Sequence, residues 1–157
     1  MVTMAYKLTA LAVCLSLTLF AMSSHADWQQ AKSQVKLTAQ GGKIGADGLQ
    51  AITIKMEIAK GWHAYANPVN NAELVDVQTE VKIAAPQKLA SVKIDYPVGK
   101  QQKVGAEVYQ VYEGDLEIKA SVKRAAGDTG PLEVTVTYSV CNDNSCLPPE
   151  TIKLQVK

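Results

Sequence analysis

Apolar and polar residues alternate along five stretches of this chain. In the runs 52–58, 77–83, 118–122, 134–140 and 152–156, almost every second residue is apolar. Because successive side chains of a β-strand point to opposite faces of a sheet, this alternation predicts strands with one face in a core and the other in water. No stretch carries a long apolar stripe at helical spacing.

Turn-forming residues separate these runs, as expected for short strands joined by tight connections. About eight strands with regular turns and no helical layer predict an all-β fold, an immunoglobulin-like antiparallel β-sandwich. A small barrel is the alternative. The polar segment from Pro97 to Gly105 is predicted to form an exposed loop. The turn positions are Gly41-Gly42, Asp47-Gly48, Lys60-Gly61, Asn67-Pro68, Pro97, Gly114-Asp115, Gly127 to Pro131 and Pro148-Pro149.

The N-terminal segment has the pattern of an export signal. Lys7 precedes an apolar run from Leu8 to Met22, and Ser24-His25-Ala26 places small residues at the two positions that signal peptidase recognises. We therefore predict a cleaved signal peptide over residues 1–26, a mature domain over residues 27–157 and a periplasmic location.

Two other interpretations of this segment are weaker. A retained membrane anchor would need about 20 apolar residues, more than the run provides, and a cleavage site follows the run. A lipoprotein cysteine at Cys14 would follow a small residue and precede a polar stretch. Instead, Val13 is bulky and apolar residues continue beyond Cys14.

Removal of the signal peptide leaves a chain with balanced charge. Of the 16 basic residues only Lys7 is lost, and all 15 acidic residues stay, so the net charge is near zero. No long run of one sign occurs, so nothing in the sequence indicates binding to nucleic acid or to an anionic membrane surface. No phosphate-binding loop, nucleophilic Ser-His arrangement or carboxylate pair stands out, and no cofactor is predicted.

The mature sequence keeps two cysteines, Cys141 and Cys146. An apolar strand runs directly into Cys141, four turn-forming residues follow, and Pro148-Pro149 comes soon after Cys146. This pattern predicts a hairpin with the cysteines at facing strand ends, close enough to form a disulfide. An even number of cysteines in an exported chain also favours a disulfide.

A disulfide here has two candidate roles, structural or redox-active. In the chain-entropy model, closing so short a loop stabilises the fold by only about 2 kcal/mol, against about 4.7 kcal/mol for a 100-residue loop. A pair at the rim of a loop is also accessible to the thiols of other proteins. The residues alone leave both interpretations open: an exchange domain, or a binding or adaptor domain with a structural disulfide.

The sequence around the pair argues against a strongly activated thiol. No Lys, Arg or His adjoins either cysteine and Asp143 lies between them, so the nearby charge does not favour a thiolate. Activation would depend on the folded surroundings or on a docked partner. A metal site is not predicted, because Cys141, Cys146 and His63 supply at most three ligands in an unusual spacing.

Residues around the cysteines also match a family signature. The matching residues are Val136-Thr137-Tyr138, Cys141, Cys146-Leu147 and Pro148-Pro149-Glu150-Thr151, with weaker matches at Lys60 to Tyr65, Tyr96-Pro97 and Val108 to Gly114. Over most of its mature length, the sequence resembles the N-terminal periplasmic domain of the thiol:disulfide interchange protein DsbD.

The resemblance implies an immunoglobulin-like sandwich whose cysteines cycle between dithiol and disulfide, as a component of a protein-disulfide reductase. It implies thioredoxin-fold periplasmic proteins and a membrane thiol carrier as partners, including factors of cytochrome c biogenesis. By position, Cys146 would form mixed disulfides with partners and Cys141 would resolve them. The family shields its cysteines with a loop, which Gln101 to Gly105 matches in position, with Val104 as its sizeable apolar residue.

Three further residues are candidates for the cysteine pocket. His63, the single histidine of the mature chain, is interpreted first as a strand histidine with a satisfied hydrogen bond, although the resemblance brings it near the cysteines. Tyr65 is the aromatic residue expected to touch the cysteines, and Tyr109 is expected at the rim. Glu113 is expected to be solvated, and the domain is expected to be a monomer.

Overall fold

The computed structural model describes residues 30–157 of the chain. These residues form eleven β-strands and two short 3₁₀ helices, and no helix among them is long and apolar enough to cross a membrane. The predicted signal peptide lies outside the described residues. The strands are β1 Val35–Gly41, β2 Leu49–Ile58, β3 His63–Tyr65, β4 Glu80–Ala84, β5 Ser91–Asp95, β6 Lys100–Val104, β7 Glu107–Tyr112, β8 Asp115–Lys123, β9 Leu132–Tyr138, β10 Val140–Cys141 and β11 Glu150–Val156. The 3₁₀ helices are Ala31–Ser33 and Ala72–Val77.

The strands pair antiparallel in three sheets. Sheet A has the order β1-β2-β8-β5, sheet B the order β10-β3-β7-β6 and sheet C the order β11-β9-β4. Within residues 30–157 each sheet ends in edge strands and does not close on itself, so the barrel alternative is not formed. The predicted all-β antiparallel sandwich is confirmed.

Sheets A and C bury their apolar faces in one shared core. On sheet A, Ile54 lies opposite Ile118, and both side chains are fully buried. On sheet C, Val136 lies opposite Val81, and both belong to the same apolar cluster. Burial of an aliphatic side chain contributes about 1.5–3 kcal/mol to the stability of the fold. The apolar residues of the alternating runs therefore provide the main stabilisation of the contact between these sheets.

Sheet B extends this core and carries a second, smaller cluster on its outer face. Ala64 and Tyr112 are buried in the main core. On the opposite face, Tyr109 and Val111 pack against Val69, which belongs to the segment that follows β3. This segment therefore folds over part of sheet B and leaves another part of its outer face open.

The chain departs from the predicted alternation just before β4. The run 77–83 predicted a strand, but a 3₁₀ helix ends at Val77 and β4 begins at Glu80. Between them, the fully buried Thr79 donates to the Tyr65 carbonyl through its N–H at 2.9 Å and its hydroxyl at 2.7 Å. Local hydrogen bonding by a threonine competes with a strand ladder, and here it delays the start of the strand.

The prediction of a loop from Pro97 to Gly105 was wrong in part. Most of the segment is exposed, but Lys100–Val104 forms β6, the edge strand that pairs with β7. A ladder uses backbone groups, so it does not require apolar side chains. Polar and lysine side chains are typical of an exposed edge because they discourage pairing with other molecules. This hairpin of β6 and β7 brings polar residues alongside β3.

A buried ion pair lies at the end of sheet A that is remote from β3. The side chains of Arg124 and Asp128 are 1% and 5% exposed, and Nη1 of Arg124 lies 3.2 Å from Oδ2 of Asp128. Arg124 Nε also donates to Gln50 Oε1 at 2.7 Å, and the N–H of Gly130 donates to Asp128 Oδ1 at 2.9 Å. The charged groups thus satisfy one another where water is excluded.

We expect Asp128→Ala to destabilise the domain by about 3–5 kcal/mol, because it leaves a buried guanidinium without its counter-charge. The matched control is Glu57→Ala, which removes an exposed pair with Lys36 at 3.1 Å and should cost at most about 1 kcal/mol. Urea unfolding followed by tryptophan fluorescence measures both. Equal losses in the two variants would contradict the assigned role.

Candidate functional site

The chain changes sheets immediately before the first cysteine. The alternating run 134–140 predicted one strand, but the run breaks at Ser139, and β10 joins sheet B while β9 stays in sheet C. β10 pairs with β3, which sets Cys141 opposite His63. Val140, the other residue of β10, is fully buried in the main core, so the position of Cys141 is fixed by packing as well as by pairing.

A tight turn joins the two cysteines. Asn142 Oδ1 accepts the backbone N–H groups of Asn144 at 2.9 Å and Ser145 at 2.8 Å, and the Asn142 N–H donates to the Ser145 carbonyl at 2.9 Å. An asparagine that bonds to the backbone ahead of it in this way mimics a backbone turn. The turn brings Cys146 back beside Cys141 in an antiparallel bridge.

Cys141 and Cys146 form a disulfide, and their Cα atoms are 4.0 Å apart. The prediction that the cysteines face each other is confirmed, although Cys146 occupies an isolated bridge and not the end of β11. The two residues differ in burial. Cys141 is 3% exposed, whereas Cys146 is exposed to solvent. An approaching thiol or disulfide would therefore meet Cys146 first.

The Tyr65 hydroxyl lies beside both sulfur atoms, 3.4 Å from Cys141 Sγ and 3.9 Å from Cys146 Sγ. Disulfide sulfurs carry no hydrogen, so the hydroxyl is the donor in this state. Burial raises the pKa of Tyr65, and the nearby Tyr109 and Glu107 raise it further. The phenol thus keeps its proton and can donate to sulfur. Its ring lies 5.7 Å from the ring of Tyr109, and Tyr65 packs against the small apolar cluster that contains Tyr109.

His63 lies on the same face of β3 as Tyr65, and the centroids of the two rings are 6.4 Å apart in an edge-to-face arrangement. The residue is 8% exposed. Its expected hydrogen bond is not found within residues 30–157. Burial lowers the pKa of His63, and the negative charges of Glu113 and Asp143 oppose this effect without reversing it. The imidazole is therefore neutral at pH 7.

A cavity of about 550 Å³ opens beside His63 and the inter-cysteine loop. His63, Lys100, Glu113 and Asp143 contribute to its wall, and Lys100 Nζ lies 2.9 Å from a Glu113 carboxylate oxygen. Lys100 and Glu113 were not predicted as site residues, because Lys100 was assigned to a loop and Glu113 to the solvated surface. The register of the β6–β7 hairpin places both beside the cavity, and the alternation of apolar and polar residues does not reveal that register.

Val104 lies at the tip of the β6–β7 hairpin, opposite Glu107. It is 56% exposed and packs into neither apolar cluster. The structure therefore brings Tyr65, His63 and Tyr109 together with the cysteines, but it records no contact between Val104 and the sulfurs. Shielding of the cysteines by Val104 stays a prediction.

A family model described as thiol:disulfide interchange protein DsbD, N-terminal, matches residues 25–157. The chain belongs to this family. A search of curated proteins found no match.

Solved structures show the same fold at low sequence identity. The N-terminal periplasmic domain of ScsB from Proteus mirabilis has a TM-score of 0.56 and 21% identity, over 77% of this chain and 44% of that one. The chain thus spans less than half the length of the ScsB domain. The reduced DsbD N-terminal domain of Neisseria meningitidis has a TM-score of 0.53 and 16% identity, over 83% and 90%. The predicted immunoglobulin-like sandwich is confirmed by this similarity.

A third structure contains a partner. It is the complex between the DsbD N-terminal and PilB N-terminal domains of Neisseria meningitidis, with a TM-score of 0.50 and 14% identity, over 82% of this chain and 87% of that one.

The site carries the groups that thiol-disulfide exchange needs and lacks an evident metal-binding arrangement. One sulfur is exposed, the other is buried, and a protonated phenol lies beside both. No group of three or more His, Cys, Asp or Glu residues within 30–157 is arranged to hold a metal ion.

We expect Tyr65→Phe to raise the apparent thiol pKa of reduced Cys146 by about one unit, because the phenol no longer donates to the thiolate. The rate of alkylation by iodoacetamide as a function of pH, followed by mass spectrometry, gives this pKa. Tyr109→Phe is the matched control, since no hydrogen bond joins its hydroxyl to the sulfurs. A shift of the same size in both variants would contradict the assignment to Tyr65.

Proposed function

We propose that this chain is a periplasmic thiol-disulfide exchange domain that passes reducing equivalents to or from protein partners through Cys141 and Cys146. The observation that carries the proposal is the unequal exposure of the disulfide within a member of the DsbD N-terminal family. A bond that only stabilised the fold would gain nothing from having one of its sulfurs exposed to solvent.

The hydrogen bonds around the loop also support exchange. Asn142 closes the turn, and beyond it the Leu147 N–H donates to the Val140 carbonyl at 2.9 Å. None of these bonds involves a sulfur atom. The sequence separation of the cysteines is 5, and a loop this short adds little chain entropy when it opens. The disulfide can therefore break and form again while the surrounding fold is kept.

The two cysteines have different roles in the proposed reaction. In the reduced domain, the Cys146 thiolate attacks a disulfide of the partner, which forms a mixed disulfide and releases one partner thiol. Cys141 then loses its proton and attacks Cys146 Sγ. The intramolecular disulfide forms, the intermolecular bond breaks, and the partner leaves with both sulfurs reduced. Two electrons pass from the domain to the partner. The reverse sequence of steps, with a reduced partner, reduces the domain again.

The proposed partners are thioredoxin-fold periplasmic proteins on one side and a membrane thiol carrier on the other, with cytochrome c biogenesis among the processes served. The neisserial complex of a DsbD N-terminal domain with a PilB domain supports a protein partner. We further propose that residues 1–26 are a cleaved signal peptide, that residues 27–157 act in the periplasm as a monomer, and that the exchange needs no cofactor.

A redox-active pair should equilibrate with a dithiothreitol or glutathione buffer while the fold survives, at a potential above about −300 mV. Trapping the thiols with a maleimide reports the redox state, and near-ultraviolet circular dichroism reports the fold. If the bond resists reduction until the domain unfolds, the disulfide is structural, and the adaptor interpretation replaces the exchange function.

The Cys141→Ala variant should accumulate a mixed disulfide through Cys146 with a purified periplasmic thioredoxin-fold protein in its disulfide form, because the resolving sulfur is missing. Non-reducing electrophoresis and peptide mapping identify the linkage. Cys146→Ala is the control and should trap little, since Cys141 is buried. Equal trapping by the two variants would overturn the assigned roles.

A further inference from the structure

We propose that His63 accepts the proton of Cys141 when Cys141 resolves a mixed disulfide, as the central member of a row formed by Cys141 on β10, His63 on β3 and Glu113 directly after β7. The inference rests on the proposed exchange function and adds a group that the resolving step requires.

The row follows from the register of sheet B. Cys141 of β10 is the direct partner of His63 on β3, and side chains of directly opposed residues project from the same face with Cβ atoms about 4.5–5.5 Å apart. On the other side of β3, Ala64 pairs with Tyr112. Glu113 follows Tyr112 directly, lines the same cavity as His63 and acts on its charge state. The imidazole therefore has Cys141 on the neighbouring strand and the Glu113 carboxylate on its cavity side.

His63 is in the right protonation state to act as a base. Burial holds its pKa below the ordinary value, against the opposing charges of Glu113 and Asp143. Two cations, Lys60 and Lys100, line the same cavity, and Lys100 is paired with Glu113. With no hydrogen bond from any of residues 30–157 to its side chain, the imidazole keeps a lone pair available for the proton.

Tyr65, the other titratable group beside Cys141, cannot act as the base that accepts this proton. Its hydroxyl lies 3.4 Å from the sulfur, but its pKa is raised by burial, so it carries a proton through the physiological range and acts as a donor. Cys141 is 3% exposed, which limits direct access of bulk water to its thiol. The cavity beside His63 offers the proton a route to solvent.

The neutral His63 ring takes the proton from the Cys141 thiol, and the resulting thiolate attacks Cys146 Sγ. The Cys141–Cys146 bond forms, the bond between Cys146 and the partner sulfur breaks, and the partner thiolate leaves with the electron pair. The imidazolium then gives its proton to the partner thiolate or to water in the cavity.

The test isolates this step with 5,5′-dithiobis(2-nitrobenzoate) as the probe and the reduced full-length mature protein. Attack by Cys146 releases one thionitrobenzoate in a first phase, and resolution by Cys141 releases a second in a later phase. Stopped-flow absorbance separates the two phases between pH 5.5 and 8. The leaving thionitrobenzoate needs no proton, so the second phase reports removal of the proton from Cys141.

In the wild-type protein, we expect the rate of the second phase to rise with pH through the His63 titration, below pH 6.5, and then to level off. In His63→Gln, the rate should follow the thiolate fraction of Cys141 and increase about tenfold per pH unit throughout the range, which lies below the ordinary cysteine pKa of about 8.5. At pH 7 the variant should be about a hundredfold slower, the lower limit of what a positioned base contributes. Identical profiles in the two proteins would overturn the proposal.

A second variant keeps the proposal testable if His63→Gln does not fold. Glu113→Gln removes a charge that raises the pKa of His63, so it should move the inflection of the second phase to lower pH. Its matched control is Glu117→Gln, an exposed carboxylate paired with Lys55 at 3.7 Å on sheet A, which should leave the inflection in place. An inflection that does not move in Glu113→Gln would also overturn the proposal.

The outcomes distinguish this inference from the function on which it rests. If the disulfide cannot be reduced in the folded protein, or no first phase occurs at Cys146, the exchange function fails and the role of His63 fails with it. If both phases occur but the second is insensitive to His63, the exchange function stands and the role of His63 alone is rejected.

Discussion

The pairing of the two-residue strand β10 with β3 is the constraint on which the site depends. Val140 and Ala64 are partners in this pairing, and both are fully buried in the main core. The energy of apolar burial therefore fixes the backbone on each side of the next pair, Cys141 and His63. The positions of Cys141 and His63 on neighbouring strands are thus set by side chains that take no part in the chemistry.

The break at Ser139 makes this pairing compatible with the rest of the sandwich. β9 must stay in sheet C, where it separates β11 from β4. A continuous strand through residue 140 would carry Cys141 along the same sheet, away from β3. By changing sheets at Ser139, the chain uses one alternating run to build the core of one sheet and the site of another.

The unequal environment of the two sulfurs follows from the same geometry. Cys141 is part of a paired strand and is covered by it, whereas Cys146 returns from a turn closed by Asn142 and stays at the surface. Burial thus separates a sulfur that partners can reach from one that only its neighbours can reach. The outer-face cluster around Val111 supports Tyr65 from below and keeps its hydroxyl directed at both sulfurs.

Local pattern in the sequence determined a large part of this structure. Alternation placed the long strands β2, β8, β9 and β11, because a two-residue period depends only on which face of a strand is buried. The turn residues between Cys141 and Cys146 predicted the facing of the cysteines, because asparagine and aspartate bond to their own backbone. The family signature around the cysteines predicted the fold to which the chain belongs.

Only the tertiary structure decided which strands became neighbours. The sheet change at Ser139, the strand hidden in the polar segment Lys100–Val104 and the approach of Glu113 to His63 depend on backbone pairing between distant segments. The hydrogen bonds between strands join backbone groups, so they do not require side chains of a particular polarity. The register between distant strands is set by the packing of the whole core. The sequence alone therefore predicted the cysteine pair with Tyr65 and His63 beside it, while the fold added the carboxylate of Glu113.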